Sequence, residues 1–162
     1  MTAKRTRRIA GWCLPAAAAV TMIAVAIGLS PGASGQANAG RYQLQVDTAR
    51  DPGTRLIWQR ALSGGAVSQA AAVQYCADLI LAGADDWRLP SLQELHTIVD
   101  EARADPSIDP LAFPDTPAGG FWSATAWAGT SALAWHVDFD IGGSAYDSAT
   151  MLYRVRCVRA DP

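Results

Sequence analysis

Between residues 85 and 100 the chain reads DDWRLPSLQELHTIVD, which sets Asp85, Asp86, Glu94 and Asp100 beside Arg88 and His96, one of only two histidines. An imidazole among carboxylates is the raw material of general acid–base catalysis, and adjacent aspartates could ligate calcium. The other histidine, His136, leads into Asp138 and Asp140, with Asp147 a few residues on. Of three cysteines, Cys13 lies early in the apolar N-terminal run with no lipobox before it and is given no role, which leaves Cys76 and Cys157 as thiols, metal ligands or a disulfide.

Each cluster has to be weighed against a plainer reading. A hydrolase built on either histidine needs a nucleophile and an orienting acid, and the chain has no GxSxG elbow, no HExxH and no glycine-rich phosphate loop. No catalytic residue is therefore assigned, and His96, on a half-apolar helix face, is read as packed and hydrogen-bonded. Asp85-Asp86 lacks the glycine and acidic spacing of a calcium loop, so no cofactor is expected and the metal question stays open. Asp86 is expected to cap or bridge locally, Arg88 to pair with a carboxylate inside the fold, and Glu94 to answer Ser91 in a helix cap. Neither cysteine has a CxxC or Cys/His neighbour, which argues against zinc.

The C-terminal half holds the better binding candidates. Trp122, Trp127 and Trp135 lie near Asp138, Asp140 and Asp147, combining flat apolar rings with acceptors that suit a sugar or peptide, and calcium in a lectin-like loop. Strand alternation turns Trp135 inward, and Trp122 is read as core as well. Trp127, beside Ala128-Gly129-Thr130, is expected at the surface. The candidate ligand-binding set is thus Trp127, Asp138, Asp140 and Asp147, with a solvated acidic face as the alternative.

The elements that must hold these residues follow from local pattern. Tyr42, Leu44 and Val46 alternate, Asp51-Pro52-Gly53 is turn chemistry and Leu56 to Gln59 resumes an extended run, which predicts a hairpin. Ser68 caps an alanine-rich helix running to Leu81, with Cys76 toward the core. Trp87-Arg88-Leu89 is extended, Pro90 breaks it, and Ser91 with Glu94 opens a second helix reaching about Asp100. Four prolines between 101 and 120 predict a long loop. In the strands beyond it, Trp135, Val137, Phe139 and Ile141 are expected on one face and His136, Asp138 and Asp140 on the other. The closing strand should set Tyr153, Val155 and Cys157 against Arg154, Arg156 and Val158. This order predicts an α+β domain, two helices packed on a small twisted antiparallel sheet.

Residues 1–39 stand apart. Lys4, Arg5, Arg7 and Arg8 precede an apolar stretch over 9–29, and Ala37-Asn38-Ala39 has the small-x-small form of a cleavage site. This is a signal peptide or, if uncleaved, an N-terminal anchor whose 9–29 run is the chain's one membrane contact. The exported domain, 40–162, has nine arginines, no lysine and fifteen acids, a formal charge of −6. That balance excludes a basic nucleic-acid face. In an oxidising compartment, periplasmic, secreted or on the cell surface, Cys76 and Cys157 most simply form one disulfide.

Six separated stretches occur in a recognisable order: RLIWQ at 55–59, YCADL at 75–79, DWRLPSLQEL at 86–95, IDPLAFPDTP at 108–117, FWSAT at 121–125 and VRCVR at 155–159. Together they resemble the Lcl C-terminal domain family of bacterial exported proteins. The resemblance implies a fold of the C-type-lectin and formylglycine-generating-enzyme group, in which a disulfide ties the first helix to the last strand, as Cys76 and Cys157 would. It makes Asp86, Trp87, Arg88, Pro90, Ser91 and Glu94 a structural motif. The family's namesake adhesin binds sulfated host glycans, which implies a non-catalytic binding or adhesion module with a glycan or protein ligand. An extracytoplasmic enzyme and a purely structural envelope domain are the alternatives.

Overall fold

The computed structural model describes residues 38–62 and 64–162, with side chains from Gly40 onward. The expected signal or anchor segment lies outside the described residues except for Asn38–Ala39. None of the described helices is long and apolar enough to cross a membrane.

Ten elements follow in order: β1 (Asn38–Ala39), β2 (Tyr42–Leu44), β3 (Thr48–Asp51), β4 (Leu56–Gln59), α1 (Gln69–Ala77), α2 (Leu92–His96), β5 (Gly120–Ala126), β6 (Leu133–Asp138), β7 (Gly143–Ser148) and β8 (Val158–Ala160). They form an α+β fold with two antiparallel sheets, one ordered β1-β2-β3-β4-β8 and the other β5-β6-β7. The single sheet expected from sequence is corrected to two. The expected hairpin is corrected as well: Asp51-Pro52-Gly53 turns the chain, but between β3 and β4, while Val46 is exposed in the β2–β3 turn.

Both helices begin where local chemistry requires. The Ser68 hydroxyl accepts from the Ala71 N–H, and Ser91 and Glu94 close a reciprocal capping box. Both end early. α1 stops at Ala77 rather than Leu81, and α2 at His96 rather than Asp100, where the Thr97 hydroxyl donates to the Glu94 carbonyl at 2.7 Å. That side-chain bond takes a carbonyl that a longer helix would use, and the chain leaves as turns.

The core is in two parts. The larger joins Tyr42, Leu44 and Trp58 of the first sheet to Leu95 and Ile98, to Phe113 from the long loop, and to Phe121 and Val137 of the second sheet. The smaller packs Ala72 and Cys76 of α1 on Trp87, Leu89, Trp122, Val155 and Cys157. A disulfide joins Cys76 to Cys157, immediately before β8, and both residues are fully buried.

The segment 153–157 links the sheets through isolated pairings, Tyr153 with Val67 and Arg154 with Phe121, before β8 takes its place beside β4. Both sides of it are covered from Val155 to Val158. Arg156 and Val158 are 0% exposed, because the first sheet and the long loop cover their side. Arg156 Nη1 donates to the Gln59 and Arg60 carbonyls and Nη2 to the Thr116 hydroxyl. Its guanidinium also lies 4.6 Å from the Phe113 ring centre.

Candidate functional site

The DDWRLPSLQELHTIVD stretch resolves into a strand-to-helix junction. Arg88 pairs its N–H and carbonyl with Val158, which fixes the extended part against the end of the first sheet. Its guanidinium then forks onto Glu94, at 2.6 and 2.8 Å, while Glu94 also accepts from the Ser91 N–H. The Arg88 bonds and the helix cap hold the Glu94 carboxyl down at about 2. The pair sits at the surface, with Arg88 exposed, rather than inside the fold as expected. Asp86 accepts from Arg159 at 2.6 Å and so pins the same junction to β8. These charges are used up in holding the chain.

The second sheet separates the candidate binding residues onto two faces. Trp135 on β6 stands opposite Tyr146 on β7. The Trp127 ring, just beyond β5, reaches across β6 to lie 5.2 Å from Tyr146 at an interplanar angle of 30°. Trp135 meets Tyr146 edge-on at 5.3 Å. Tyr146 is 46% exposed and the two tryptophans are half-buried, so the three rings form an open aromatic shelf. Gly129 permits it: a Cβ there would fall 1.4 Å from the Trp127 ring. Ser144 and Ser148 share the Tyr146 face by strand alternation, and that face of β6 and β7 carries no charged residue.

The opposite face holds His136, Asp147, Tyr153 and Trp122. His136 was expected outward and is corrected: it is 4% exposed, because Tyr153 and Trp122 cover a face that alternation assigned to solvent. Its ring lies 4.3 Å from that of Tyr153 and 6.0 Å from that of Trp122. Phe139 is buried as expected, but Ile141 is 78% exposed, since β6 ends at Asp138 and the chain turns before it can point inward. The Tyr153 hydroxyl donates to Asp147 at 2.7 Å, and burial with this carboxylate pushes the phenol up to about 12.

His136 Nδ1 lies 4.0 Å from the same carboxylate, too far for a hydrogen bond, and has no partner among the described residues. Burial lowers the His136 pKa, against the pull of Asp147 and Asp138. The neutral imidazole is therefore the folded form, enclosed by rings rather than open to a substrate. Because the folded pKa is depressed, the unfolded chain takes up the proton first, and stability falls as the pH drops through about 6.5. Urea midpoints between pH 7.5 and 5 should show this slope, and His136→Asn should flatten it. Glu94 contributes a separate loss only below its ordinary value of 4.5, as the pH falls toward about 2.

Asp138 closes β6 and Asp140 follows in the β6–β7 turn, where the Asp138 carboxylate accepts from the Asp140 N–H at 2.9 Å. Asp105 raises the Asp140 pKa through a shared hydrogen bond and like charge. Among the described residues, no group of three or more His, Cys, Asp or Glu side chains is arranged to hold a metal. Trp127 is thus parted from the three aspartates, and its actual companion is Tyr146, a partner that local sequence pattern does not single out. The available signal was the register opposing Trp135 to Tyr146, with a glycine two residues after Trp127.

The family model described as the Lcl C-terminal domain matches residues 47–159. No curated protein matches the chain.

Proposed function

The chain belongs to the Lcl C-terminal domain family, and on that premise we propose that it is an exported, non-catalytic binding or adhesion module that stacks a neutral sugar on the Trp127–Tyr146–Trp135 shelf. The observation that carries this reading is the shelf itself: three rings kept partly open on one sheet face, flanked by serines and free of charge. A pyranose ring presents an apolar face to aromatic carbon and hydroxyls to the surroundings, which such a surface complements. A sulfated glycan fits less well, for the shelf offers no cation and the exported part carries a formal charge of −6.

The C-type-lectin-like kinship belongs to the same proposal, supported by the helix pair, the two sheets and a bridge from the first helix to the C-terminal strand. The enzymatic alternative, a relative of formylglycine-generating enzymes, has less in its favour because both exported cysteines are fully buried in one bridge.

A glycan and peptide array on the purified oxidised protein, with and without calcium, tests the proposal. Binding to neutral glycans is expected, and Trp127→Ala should weaken it about tenfold or more, near the upper range of one aromatic contact. Gly129→Ala should act in the same direction by driving the ring off Tyr146, with a matching loss of near-ultraviolet circular dichroism. Binding that survives both substitutions would place the ligand elsewhere.

A further inference from the structure

We propose that the outer edge of β7 takes up an extended, non-acidic peptide segment of a partner protein as a fourth strand of the second sheet. The Phe139 N–H donates to the Gly119 carbonyl, and the Leu133 carbonyl accepts from the Trp127 N–H, so these residues turn their backbone toward the β5 side. Antiparallel pairing alternates, which turns Ala134, His136 and Asp138 toward β7, where Asp147, Ala145 and Gly143 stand opposite them. The N–H and C=O of Ser144 and Tyr146 and the N–H of Ser148 therefore point away from β6. β7 ends its sheet, and among the described residues no other backbone group bonds to these five. The Ser148 carbonyl accepts from the Met151 N–H at 2.8 Å, which closes the far end of the edge.

The other sheet edges are short or occupied. β1 has two residues, and β8 has three, with Val158 already paired to Arg88. On the free side of β5, Trp122 bonds the Arg154 carbonyl and Ala124 the Pro90 carbonyl. β7 instead runs six residues in unbroken register with β6, with no bulge, proline or lysine to deter pairing.

Apolar side chains gather at the same edge. Ile141, Tyr146, Met151 and Leu152 are half of the eight large apolar side chains exposed among the described residues, and they lie in β7 and the turns that bracket it. A strand with alternating apolar residues complements such a border, its backbone supplying donors and acceptors at the two-residue spacing of Ser144, Tyr146 and Ser148. Tyr146 meets it on one face, and exposed Ala145 leaves room for a larger side chain beside Asp147 on the other. Asp147 and the formal charge of −6 disfavour an acidic segment. The same charge disfavours a second copy of this domain, which would set two acidic bodies edge to edge.

A displayed library of random nonapeptides, selected on the full chain with its disulfide intact, tests this. Selected peptides should alternate apolar residues, bind with Kd of about 0.1 mM or tighter, and shift the amide resonances of β7. Two N-methylated forms of the best binder decide the mode. Methyl groups on every second residue, in the register facing β7, should weaken binding about tenfold or more, and on the intervening residues less than about threefold. Ser144→Pro removes one outward N–H and spares the β6–β7 ladder, so it should also weaken the peptide about tenfold. A library that yields no binder, shifts that map away from β7, or equal responses to the two methylation patterns would overturn the assignment. A dimer of the chain that Ser144→Pro disperses would overturn it as well, by placing a second copy on the edge.

Discussion

Replacing Cys76 and Cys157 together by alanine is expected to lower the free energy of unfolding by about 4 to 5 kcal/mol on the loop-entropy account of disulfides. The bridge closes a loop of 81 residues that contains α2, the long loop and the whole second sheet. Cutting it releases all of that chain in the unfolded ensemble, while the folded form loses only two sulfur atoms from a sealed core. Alanine is the informative substitute, because serine would bury two new hydroxyls and add a cost unrelated to the bridge. Domains of this size have roughly 5 to 15 kcal/mol in total, so the variant should sit close to its unfolding threshold. Urea titration checks this: the midpoint should fall sharply, with a steeper slope, as the released chain exposes more surface. A loss under about 1 kcal/mol would show that the unfolded chain is already held compact without the bridge.

That the two cysteines pair was legible in the sequence, for their even number and the expected export point to it. So were the helix starts, because Ser68, Pro90, Ser91 and Glu94 act on backbone groups within a few residues of themselves. The division into two sheets was not, since it depends on β8 returning to β4 from a hundred residues away. β3 was hidden for a related reason: Thr48, Ala49, Arg50 and Asp51 carry little hydrophobic signal, yet Thr48, Ala49 and Asp51 are all buried by their neighbours.

Alternation misled most where both faces of a strand are covered. His136 was placed outward by alternation, and alternation gave no sign that Arg156 is buried; each is sealed by residues distant in sequence. The candidate binding site was half legible for the same reason. Trp127 in a loop beside Gly129 could be singled out locally, whereas its partnership with Tyr146 requires the β6–β7 register. The three aspartates grouped with it in sequence fall on another face or in a turn, because a strand sends adjacent residues to opposite sides.

Arg156 is where this failure has its largest energetic consequence, and Arg156→Ala is expected to cost about 3 to 5 kcal/mol. The side chain ties three remote pieces of chain: the carbonyls of Gln59 and Arg60 at the end of β4, Thr116 in the long loop, and its own segment before β8. No carboxylate pairs with it; among the described residues its charge is met by carbonyl and hydroxyl oxygens and by the rings of Phe113 and Phe121, at 4.6 and 5.9 Å. Burial draws its pKa down to about 9, still above neutrality, so the cation persists at pH 7. Alanine would leave a cavity against Phe113 and strip two carbonyls and a hydroxyl of a shared donor. Methionine would refill much of the volume but restore no hydrogen bond, and it removes a buried charge that has one N–H, at Nε, unsatisfied. Its cost should therefore be clearly smaller than that of alanine, about 1 to 3 kcal/mol. Lysine keeps the charge but cannot fork between the β4 carbonyls and Thr116, and should lie between the two. Urea unfolding of the three variants orders them. If methionine proved as damaging as alanine, hydrogen bonding rather than volume would be the whole of what Arg156 contributes, and if lysine matched the native arginine, charge alone would suffice.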